Sequence, residues 1–465
     1  MGALIYKQLR STPIHVVGGT GARLYDADGK VYLDACGGVC VSALGHDHPR
    51  VVAAIAEQAS TLSWAHAGSF TTDAAEALAD YLVGLSKGLA HAQFLSGGSE
   101  AMELALKTAY QYHWERGAPE RQAFVARRQN YHGSTFATLA VSGNVQRRTI
   151  FEPLLRPGVF VSPCYAYRDR REGETDAEYA ARLAAELEAA VLAVGPERVA
   201  GFVAETVVGS TSGAVPPVDG YFRAIKEVCE RYGILLILDE VMAGLGRTGR
   251  HFAFHDDGIV PDLVAVGKGL AAGYQPISAL LVTEEVYEAL AGGSGMLRNG
   301  QTHVNHPVAC AAALAVQETI VEEGLLAQVR ERGIQLRRLL SELAGSFPYV
   351  GDVRGRGLFL GVELVADRAT KEPIPPELDL AARLKAAALA NGLLTYPGSG
   401  TIDGVHGHHV LFAPPFVSTE HDVAEMVERF AATLAAVAHD IEQSIDGRKK
   451  RDEDAARVPE EVAPA

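Results

Sequence analysis

LVAVGKGLAAGYQPISALLV, residues 263–282, is apolar almost throughout and carries one lysine, Lys268, between two glycines. Its apolar segments LVAV and ISALLV are continuous and do not alternate with polar residues. Continuous apolar runs are typical of strands that are covered on both faces, as in parallel sheets flanked by helices. Because a cation at the end of such a strand is costly to bury, Lys268 needs either solvent or a chemical reason to lie there.

Similar apolar runs occur earlier in the chain, and longer amphipathic segments separate them. Short buried-type strands that alternate with helices predict crossover units, in which helices cover a mostly parallel sheet. The sequence therefore predicts an α/β fold whose large domain contains a mostly parallel sheet flanked by helices. The four runs are AFVARR (123–128), VFVSP (159–163), GFVAET (201–206) and ILLILDE (234–240).

The two ends of the chain have a different pattern, which predicts a smaller α+β domain built from the N- and C-terminal segments. Near the N-terminus, polar and apolar residues alternate around Asp28-Gly29, a strong hairpin signal. Towards the C-terminus, helical segments alternate with VRGRGLFLGVEL (353–364) and HVLFAPPF (409–416), which we each interpret as one strand. The predicted divisions are an N-terminal segment of the small domain (1–55), the large domain (56–320), the C-terminal small domain (321–445) and a charged tail that we expect to be disordered (446–465).

The composition argues against several classes of protein. The net charge of −15 disfavours nucleic-acid binding, since such proteins present a basic surface. The sequence has no stretch of about 18 apolar residues free of charges, so it predicts no membrane span. The first residues lack the apolar core of a signal peptide. The five cysteines form no CxxC pair, which favours reduced thiols in a cytoplasmic enzyme with no metal site.

Chemically useful side chains lie at the ends of the apolar runs. Tyr131 and His132 follow the first of the four earlier runs, Glu205 and Asp239 close later ones, and Lys268 follows LVAVG. Ligands of an open parallel sheet bind beyond the carboxyl ends of its strands, so these side chains are expected to meet in one crevice. Taken singly, a strand-end aspartate is usually a helix cap and a strand-end lysine is usually on the surface.

A turn of small residues, Ser96-Gly97-Gly98-Ser99, precedes the helical segment EAMELALKTA. Small residues let the backbone approach an anion, and a helix N-terminus offers unpaired N–H groups. The turn matches neither the Walker loop nor GxGxxG, so it is a weak signal alone.

Pyridoxal phosphate needs all of these groups together. Its aldehyde condenses with a lysine as a Schiff base, and a buried carboxylate keeps its ring nitrogen protonated. An aromatic side chain covers its ring, and N–H donors hold its phosphate. The sequence therefore predicts pyridoxal phosphate as the cofactor and Lys268 as the Schiff-base lysine, whose burial would favour the neutral amine.

Four motifs resemble those of class III aminotransferases, the ω-amino acid and amine transaminases of the aspartate aminotransferase fold, which is pyridoxal-phosphate fold type I. The resemblance covers roughly residues 5 to 440, and the spacing between DEV, GRTG and GKG is its most specific part. The motifs are SGGSEAMELALKTA (96–109), NYHGST (130–135), ILLILDEVMAGLGRTG (234–249) with DLVAVGKGLAAGYQPISALL (262–281), and NGQTHVNHPVACAAAL (299–314).

The resemblance implies roles around the cofactor ring. Lys268 would hold the cofactor covalently and Asp239 would pair with its pyridine nitrogen, and both would be catalytic. Tyr131 would stack on one face of the ring and Val241 would pack on the other. His132 and Glu205 match family positions beside the ring whose roles are less defined.

The resemblance also implies a phosphate site and an assembly. The turn Ser96-Gly97-Gly98-Ser99 would hold the phosphate, with backbone and hydroxyl groups of Gly98 and Ser99. Thr302 matches a threonine that reaches the phosphate of the neighbouring subunit in the family. A homodimer with active sites at the interface is therefore expected, and a tetramer stays open.

The sequence departs from the family before the APPF segment. Many ω-transaminases carry an arginine there that swings to bind a substrate carboxylate, whereas this chain has only histidines in GTIDGVHGHHVLF. Solvated loop histidines, a carboxylate contact and a metal site are all open interpretations of His406, His408 and His409. The alternative cations for a carboxylate are Arg168, Arg354 and Arg356.

The resemblance implies that the protein would move an amino group from an ω-amino acid or primary amine to an α-keto acid, most naturally pyruvate, by a ping-pong mechanism. A racemase or aminomutase of the same fold would use the same lysine and aspartate without a keto acid. A non-catalytic interaction module is a third interpretation, which the intact lysine and aspartate disfavour. The donor amine and the choice between pyruvate and 2-oxoglutarate stay open.

Overall fold

The computed structural model describes residues 3–456, which fold into three sheets and the helices that cover them. The strands are β1 Val16–Thr20, β2 Arg23–Asp26, β3 Val31–Asp34, β4 His91–Leu95, β5 Ala123–Arg127, β6 Val159–Val161, β7 Val199–Glu205, β8 Leu235–Asp239, β9 Leu263–Val266, β10 Ser278–Val282, β11 Val350–Arg356, β12 Phe359–Leu364, β13 Leu393–Leu394, β14 Tyr396–Ser399 and β15 His408–Phe412. The helices are α1 Gly37–Cys40, α2 Pro49–Thr61, α3 Asp73–Ser86, α4 Gly98–Glu115, α5 Phe136–Val141, α6 Val145–Arg148, α7 Ala166–Asp169, α8 Asp176–Val194, α9 Tyr221–Tyr232, α10 Glu284–Gly292, α11 Pro307–Glu322, α12 Leu325–Ser346, α13 Leu380–Ala390 and α14 Glu420–Ala456.

The largest sheet has seven strands in the order β4-β10-β9-β8-β7-β5-β6. The five neighbouring strands β6, β5, β7, β8 and β9 pair in parallel. β10 is antiparallel to both of its neighbours, β9 and β4. Each apolar run in the sequence contains one strand of this sheet. The predicted α/β fold with a mostly parallel sheet is therefore confirmed.

Successive residues of the central strands pack into different cores, which is why the runs are continuously apolar. Leu236 and Leu238 of β8 belong to the core that includes α8 and α9. Leu235 and Ile237 belong to the core on the opposite face, which includes α4. Each of these side chains is at most 6% exposed, and full burial of one stabilises the fold by about 1.5–3 kcal/mol.

Both ends of the chain contribute to one smaller sheet, ordered β1-β2-β3-β13. β2 and β3 form the hairpin expected around Asp28-Gly29, and Gly29 has the positive φ of 82° that this turn requires. β13, from the C-terminal part, pairs in parallel with β3. The pairing of distant segments is in keeping with a small domain built from both termini, whose boundaries remain a prediction.

The segment 353–364 is not the single strand that we expected. It contains the end of β11 and all of β12, which pair antiparallel with Arg356 opposite Phe359. Gly357 makes the reversal in the left-handed region, with φ 56°. A Cβ atom on Gly357 would lie 2.6 Å from the carbonyl carbon of Thr248, so the turn also needs glycine for space.

The C-terminal segment also differs from the expectation. Residues 446–456 continue helix α14 and do not form the disordered tail that the charged sequence suggested, while residues 457–465 lie outside the described part of the chain. A helix that is already nucleated extends cheaply through Ala, Glu, Lys and Arg, which explains the difference. Within residues 3–456, no helix is long and apolar enough to cross a membrane.

Candidate active site

Three neighbouring strands of the large sheet end at the same edge and bring the predicted acids and lysine together. Glu205 ends β7 and lies opposite Asp239, which ends β8. Asp239 in turn lies opposite Ala265 of β9, three residues before Lys268. Lys268 is partly buried and has a positive φ of 42°, an uncommon backbone conformation for a residue with a side chain.

Asp239 is 6% exposed and has a hydrogen-bond donor at each oxygen. His132 donates from Nδ1 to Oδ2 at 2.9 Å, and the backbone N–H of Val241 donates to Oδ1 at 3.0 Å. Asn130 Nδ2 lies 3.2 Å from Nε2 of the same imidazole and donates to it, which keeps the proton of His132 on Nδ1. The chain Asn130–His132–Asp239 therefore fixes the orientation of the carboxylate.

Glu205 positions the backbone of the aromatic residue. Its carboxylate accepts hydrogen bonds from the N–H of Tyr131 at 3.0 Å and from the N–H of Gly209 at 2.8 Å. Burial raises the pKa of Glu205, and the nearby charge of Asp239 raises it further. Glu205 therefore serves as an anchor for the Tyr131 segment next to Asp239.

Glu240, the acid that follows Asp239, has a different role. It accepts hydrogen bonds from the N–H groups of Ala253 at 2.8 Å and Phe254 at 2.7 Å, and from the hydroxyl of Thr206 at 2.9 Å. Burial raises its pKa to about 7. Only the first of the two adjacent acids belongs to the crevice, because the second holds the following loop.

The turn of small residues leads directly into helix α4, which begins at Gly98. The carboxylate of Glu100 accepts the N–H groups of Ser96 at 3.0 Å and Gly97 at 3.2 Å, so these two donors are already used. The N–H groups of Gly98 and Ser99 belong to the first turn and have no intrahelical acceptor. The backbone N–H groups left free at this turn are therefore those of Gly98 and Ser99, and not those of all four residues.

Val241 connects this helix terminus with the lysine. A Cβ atom on Gly98 would lie 2.9 Å from Cγ1 of Val241, and a Cβ atom on Gly267 would lie 3.4 Å from the same carbon. A Cβ atom on Gly133 would lie 2.7 Å from the hydroxyl of Ser99, so a third glycine borders the turn. The glycines let three backbone segments approach Val241 and the helix terminus closely.

Thr302 lies in the turn before α11. Its side chain is exposed, and its carbonyl oxygen accepts a hydrogen bond from Trp64 Nε1 at 3.2 Å. The contacts described above connect the other predicted site residues, and the contact of Thr302 with Trp64 is not one of them.

The three histidines near the C-terminus do not form a unit. His406 is exposed and pairs with Asp403, with 2.7 Å between Nδ1 and Oδ2. His408 and His409 are buried in β15, which lies between β12 and β14. Burial lowers the pKa of His408 to about 4 and that of His409 to about 3. Only His406 is therefore the solvated histidine that the loop sequence suggested.

A metal site at these histidines finds no support. Across residues 3–456, no group of three or more His, Cys, Asp or Glu side chains is arranged to hold a metal ion. His409 instead lies 2.7 Å from the hydroxyl of Thr401 through Nδ1.

The arginines that we considered for a substrate carboxylate are engaged within the protein. Arg354 donates to Glu363 at 2.6 Å, to Asp352 at 3.0 Å and to the carbonyls of residues 212 and 213. Arg168 also donates to Glu363, at 2.5 Å from Nη2. Arg356 pairs with Asp257 at 3.1 Å. These ion pairs leave none of the three arginines as an unpaired cation.

A different arginine, which sequence inspection missed, lies at the aromatic residue. The guanidinium carbon of Arg147 is 4.3 Å from the centroid of the Tyr131 ring. One signal was present in the sequence: Arg148 has Glu152 four positions later, whereas Arg147 has no acid three or four positions away. Contact with Tyr131, however, depends on the fold of the segment between them.

Comparisons with known proteins give a consistent assignment. A family model described as Aminotransferase class-III matches residues 5–434. An uncharacterized aminotransferase of Schizosaccharomyces pombe is 42% identical over 440 residues, which are 93% of this chain and 95% of that protein. The diaminobutyrate–2-oxoglutarate transaminase of Halomonas elongata is 35% identical over 422 residues, which are 89% of this chain and 88% of that protein. The solved structure of the omega transaminase from Pseudomonas jessenii in complex with PMP has a TM-score of 0.88 at 33% identity, covering 96% of this chain and 97% of that chain.

Proposed function

The chain belongs to the class-III aminotransferase family and is an aminotransferase, and we propose that it transfers an amino group from an ω-amino acid or primary amine to an α-keto acid, with pyruvate as the acceptor. Class-III aminotransferases depend on pyridoxal phosphate. Their substrates are small-molecule amines and keto acids. We further propose that this chain binds pyridoxal phosphate through the residues described above.

The residues at the crevice fit pyridoxal phosphate. Free N–H groups of Gly98 and Ser99 at a helix N-terminus suit a phosphate, and the glycine there leaves room that a Cβ atom would fill. Asp239 is a buried carboxylate that is held rigidly by two donors. The observation that carries the proposal is the position of Val241, whose side chain contacts the helix terminus and the residue before Lys268.

Pyridoxal phosphate, when bound, supplies an aldehyde that takes up amines covalently and a ring that accepts an electron pair. In the proposal, Nζ of Lys268 would hold the cofactor covalently. The amine of Lys268 would also be the base that removes a proton from the substrate carbon that carries nitrogen, and the acid that later returns a proton. Asp239 would hold a proton on the ring nitrogen, because its fixed negative charge would stabilise the cationic ring.

Three residues support this chemistry by positioning others. His132 and Val241 hold the two oxygens of Asp239, and Glu205 holds the backbone of Tyr131. The ring of Tyr131 would cover the cofactor ring in the proposal. A charge already oriented by donors needs no reorganisation during reaction, which is how such a site lowers a barrier.

The proposal includes a homodimer whose active sites lie at the interface. Thr302 would then reach the phosphate held by the partner subunit. Its exposure in the isolated chain supports this placement, because an exposed side chain can contact a partner subunit. The same residues would serve both halves of a ping-pong cycle and would act in reverse order in the second half. The first half would release the carbonyl product, and the second would aminate the keto acid.

The test compares Lys268→Ala with Lys385→Ala, an exposed lysine on α13. Both variants and the wild type are incubated with a panel of amines and either pyruvate or 2-oxoglutarate, and the amino acid product is quantified. Wild type and Lys385→Ala should form alanine from pyruvate, and Lys268→Ala should not. Alanine formation by Lys268→Ala at the wild-type rate would show that the role given to Lys268 is wrong.

The same panel separates the alternatives. A racemase or aminomutase would convert the amine without any keto acid and would form no alanine. The Halomonas elongata relative is named for 2-oxoglutarate, so glutamate in place of alanine would correct the acceptor and leave the reaction class intact.

A further inference from the structure

Arg147 lies at the candidate active site as a cation without an anion. Its guanidinium lies 4.3 Å over the ring of Tyr131, and its backbone N–H donates to the N-cap residue Asn144 at 3.3 Å. No carboxylate within residues 3–456 pairs with its side chain. The next residue, Arg148, is buried and is paired with Glu152 at 2.9 Å. The neighbouring arginines therefore have separate roles: Arg148 anchors α6, and Arg147 is left with a free charge.

Helix α6 packs against the loop 400–407, the segment before the APPF motif in which many ω-transaminases carry an arginine. A Cβ atom on Gly404 would lie 3.1 Å from Cβ of Val145, and a Cβ atom on Gly400 would lie 2.8 Å from Nε2 of Gln146. Gln129 links the two segments, because its Nε2 donates to the carbonyl of Gly400 at 2.6 Å. Arg147 therefore belongs to the helix, α6, that packs against this loop.

The loop itself offers no free cation in the described chain. His406 is paired with Asp403 at 2.7 Å, and the buried His409 is bonded to Thr401. Arg247, a buried arginine, donates to the carbonyls of Leu358 and Pro414. A carboxylate that enters beside Glu205 and Asp239 meets like charge and needs a counter-charge to bind.

We propose that Arg147 binds the carboxylate of the keto acid, and of an ω-amino acid donor, in place of the arginine that this chain lacks. A guanidinium stacked on an aromatic face keeps its N–H edge free, and that edge matches a carboxylate in a bidentate pair. The Tyr131 ring has two faces, so a guanidinium on one leaves the other for an aromatic ligand. This inference rests on the proposed transamination for its substrate, and it adds the residue that selects for a carboxylate.

The test uses the protein loaded with pyridoxal phosphate and three variants: Arg147→Gln, Arg147→Lys and Arg198→Gln, the last an exposed arginine used as the matched control. Calorimetry measures the binding of propionate, an unreactive carboxylate, so one readout is independent of turnover. Kinetics measure KM for pyruvate, and single-turnover absorbance measures the reaction with 1-phenylethylamine, a donor without a carboxylate. Thermal unfolding checks that each variant is folded.

Arg147→Gln should bind propionate about tenfold to a hundredfold more weakly and raise KM for pyruvate by a similar factor. Its rate with 1-phenylethylamine should stay within about twofold of wild type, because that donor has no group for Arg147 to bind. Arg147→Lys should recover part of the affinity, since it keeps the charge and loses the bidentate fork. Arg198→Gln should behave like the wild type.

Three results would overturn the inference. Propionate affinity in Arg147→Gln equal to that of wild type would exclude a contact, and so would a wild type that does not bind propionate. An equal loss with pyruvate and with 1-phenylethylamine would assign Arg147 to the structure of the site instead. If no protein transfers an amine to any keto acid, the proposed function fails, and the propionate titration still decides whether Arg147 binds carboxylates.

Discussion

Replacement of Asp239 by asparagine separates the chemical role of this residue from its structural one. Asp239→Asn keeps the shape and removes the charge. One amide oxygen can still accept either the Nδ1 proton of His132 or the N–H of Val241, which the carboxylate accepts at 2.9 and 3.0 Å. If the amide N–H₂ faces the imidazole, the proton of His132 can move to Nε2, and Asn130 can turn its Oδ1 towards it. That oxygen is buried and has no partner among the described residues.

The fold should therefore tolerate the change. We expect a loss of about 1 kcal/mol in the free energy of unfolding, because one hydrogen bond to a charged group becomes a neutral one and the network can re-pair. The rate should fall much further, by about a hundred- to a thousandfold, because the charge that stabilises the cationic ring is removed. A large kinetic effect with a small structural one is the expected signature.

The matched control is Asp262→Asn. Asp262 is also an acid next to the central sheet, and it accepts one backbone N–H, from Leu236 at 2.7 Å, and one cation, Lys226 at 2.7 Å. This control should lose a similar amount of stability and keep its rate. Urea unfolding gives the stability of each variant, and single-turnover absorbance with an amine donor gives the rate. A folded Asp239→Asn protein that reacts within about threefold of Asp262→Asn would refute the role of the charge.

Three further outcomes are expected. Gly98→Ala should cost about 1–3 kcal/mol of stability and weaken cofactor binding, because its Cβ would lie 2.9 Å from Val241, and Val241→Ala in the same chain should recover part of the stability in denaturation measurements. Glu363→Gln should lower the free energy of unfolding by about 3–5 kcal/mol by calorimetry, because Arg354 and Arg168 would lose the buried carboxylate that they share and Arg354 would keep only Asp352 as a counter-charge, and a loss below about 1 kcal/mol would contradict this. Burial lowers the pKa of His409 to about 3 from 6.5, so between these values the proton binds only to the unfolded chain and stability falls as the pH falls. Between about pH 7.5 and about pH 5 the wild type should lose about 2 kcal/mol more than His409→Gln in urea unfolding, and equal losses would show that His409 is not the cause.

Most strands of the large sheet were predictable because strands that are buried on both faces have runs of consecutive apolar residues. A strand covered on both faces needs apolar side chains at consecutive positions, as in LVAV (263–266), and few other local structures favour that pattern. The turn in segment 353–364 was missed because it has the same apolar and glycine-rich composition as the strands around it. The approach of Gly357 to Thr248, which is far away in the chain, leaves no room for a Cβ atom at the reversal.

The sequence by itself determined which residues lie at the ends of the buried strands, and hence that Asp239 and Lys268 share one edge of the sheet. That information is local, because strand ends follow from apolar runs and parallel strands place their carboxyl ends together. Only the tertiary structure decided which charged side chains are paired within the protein. Arg354 and Arg147 look alike in the sequence, but Glu363 lies beside one and an aromatic ring beside the other. Pairing depends on contacts between distant segments, and a charge is available to a ligand only where the fold brings it no partner.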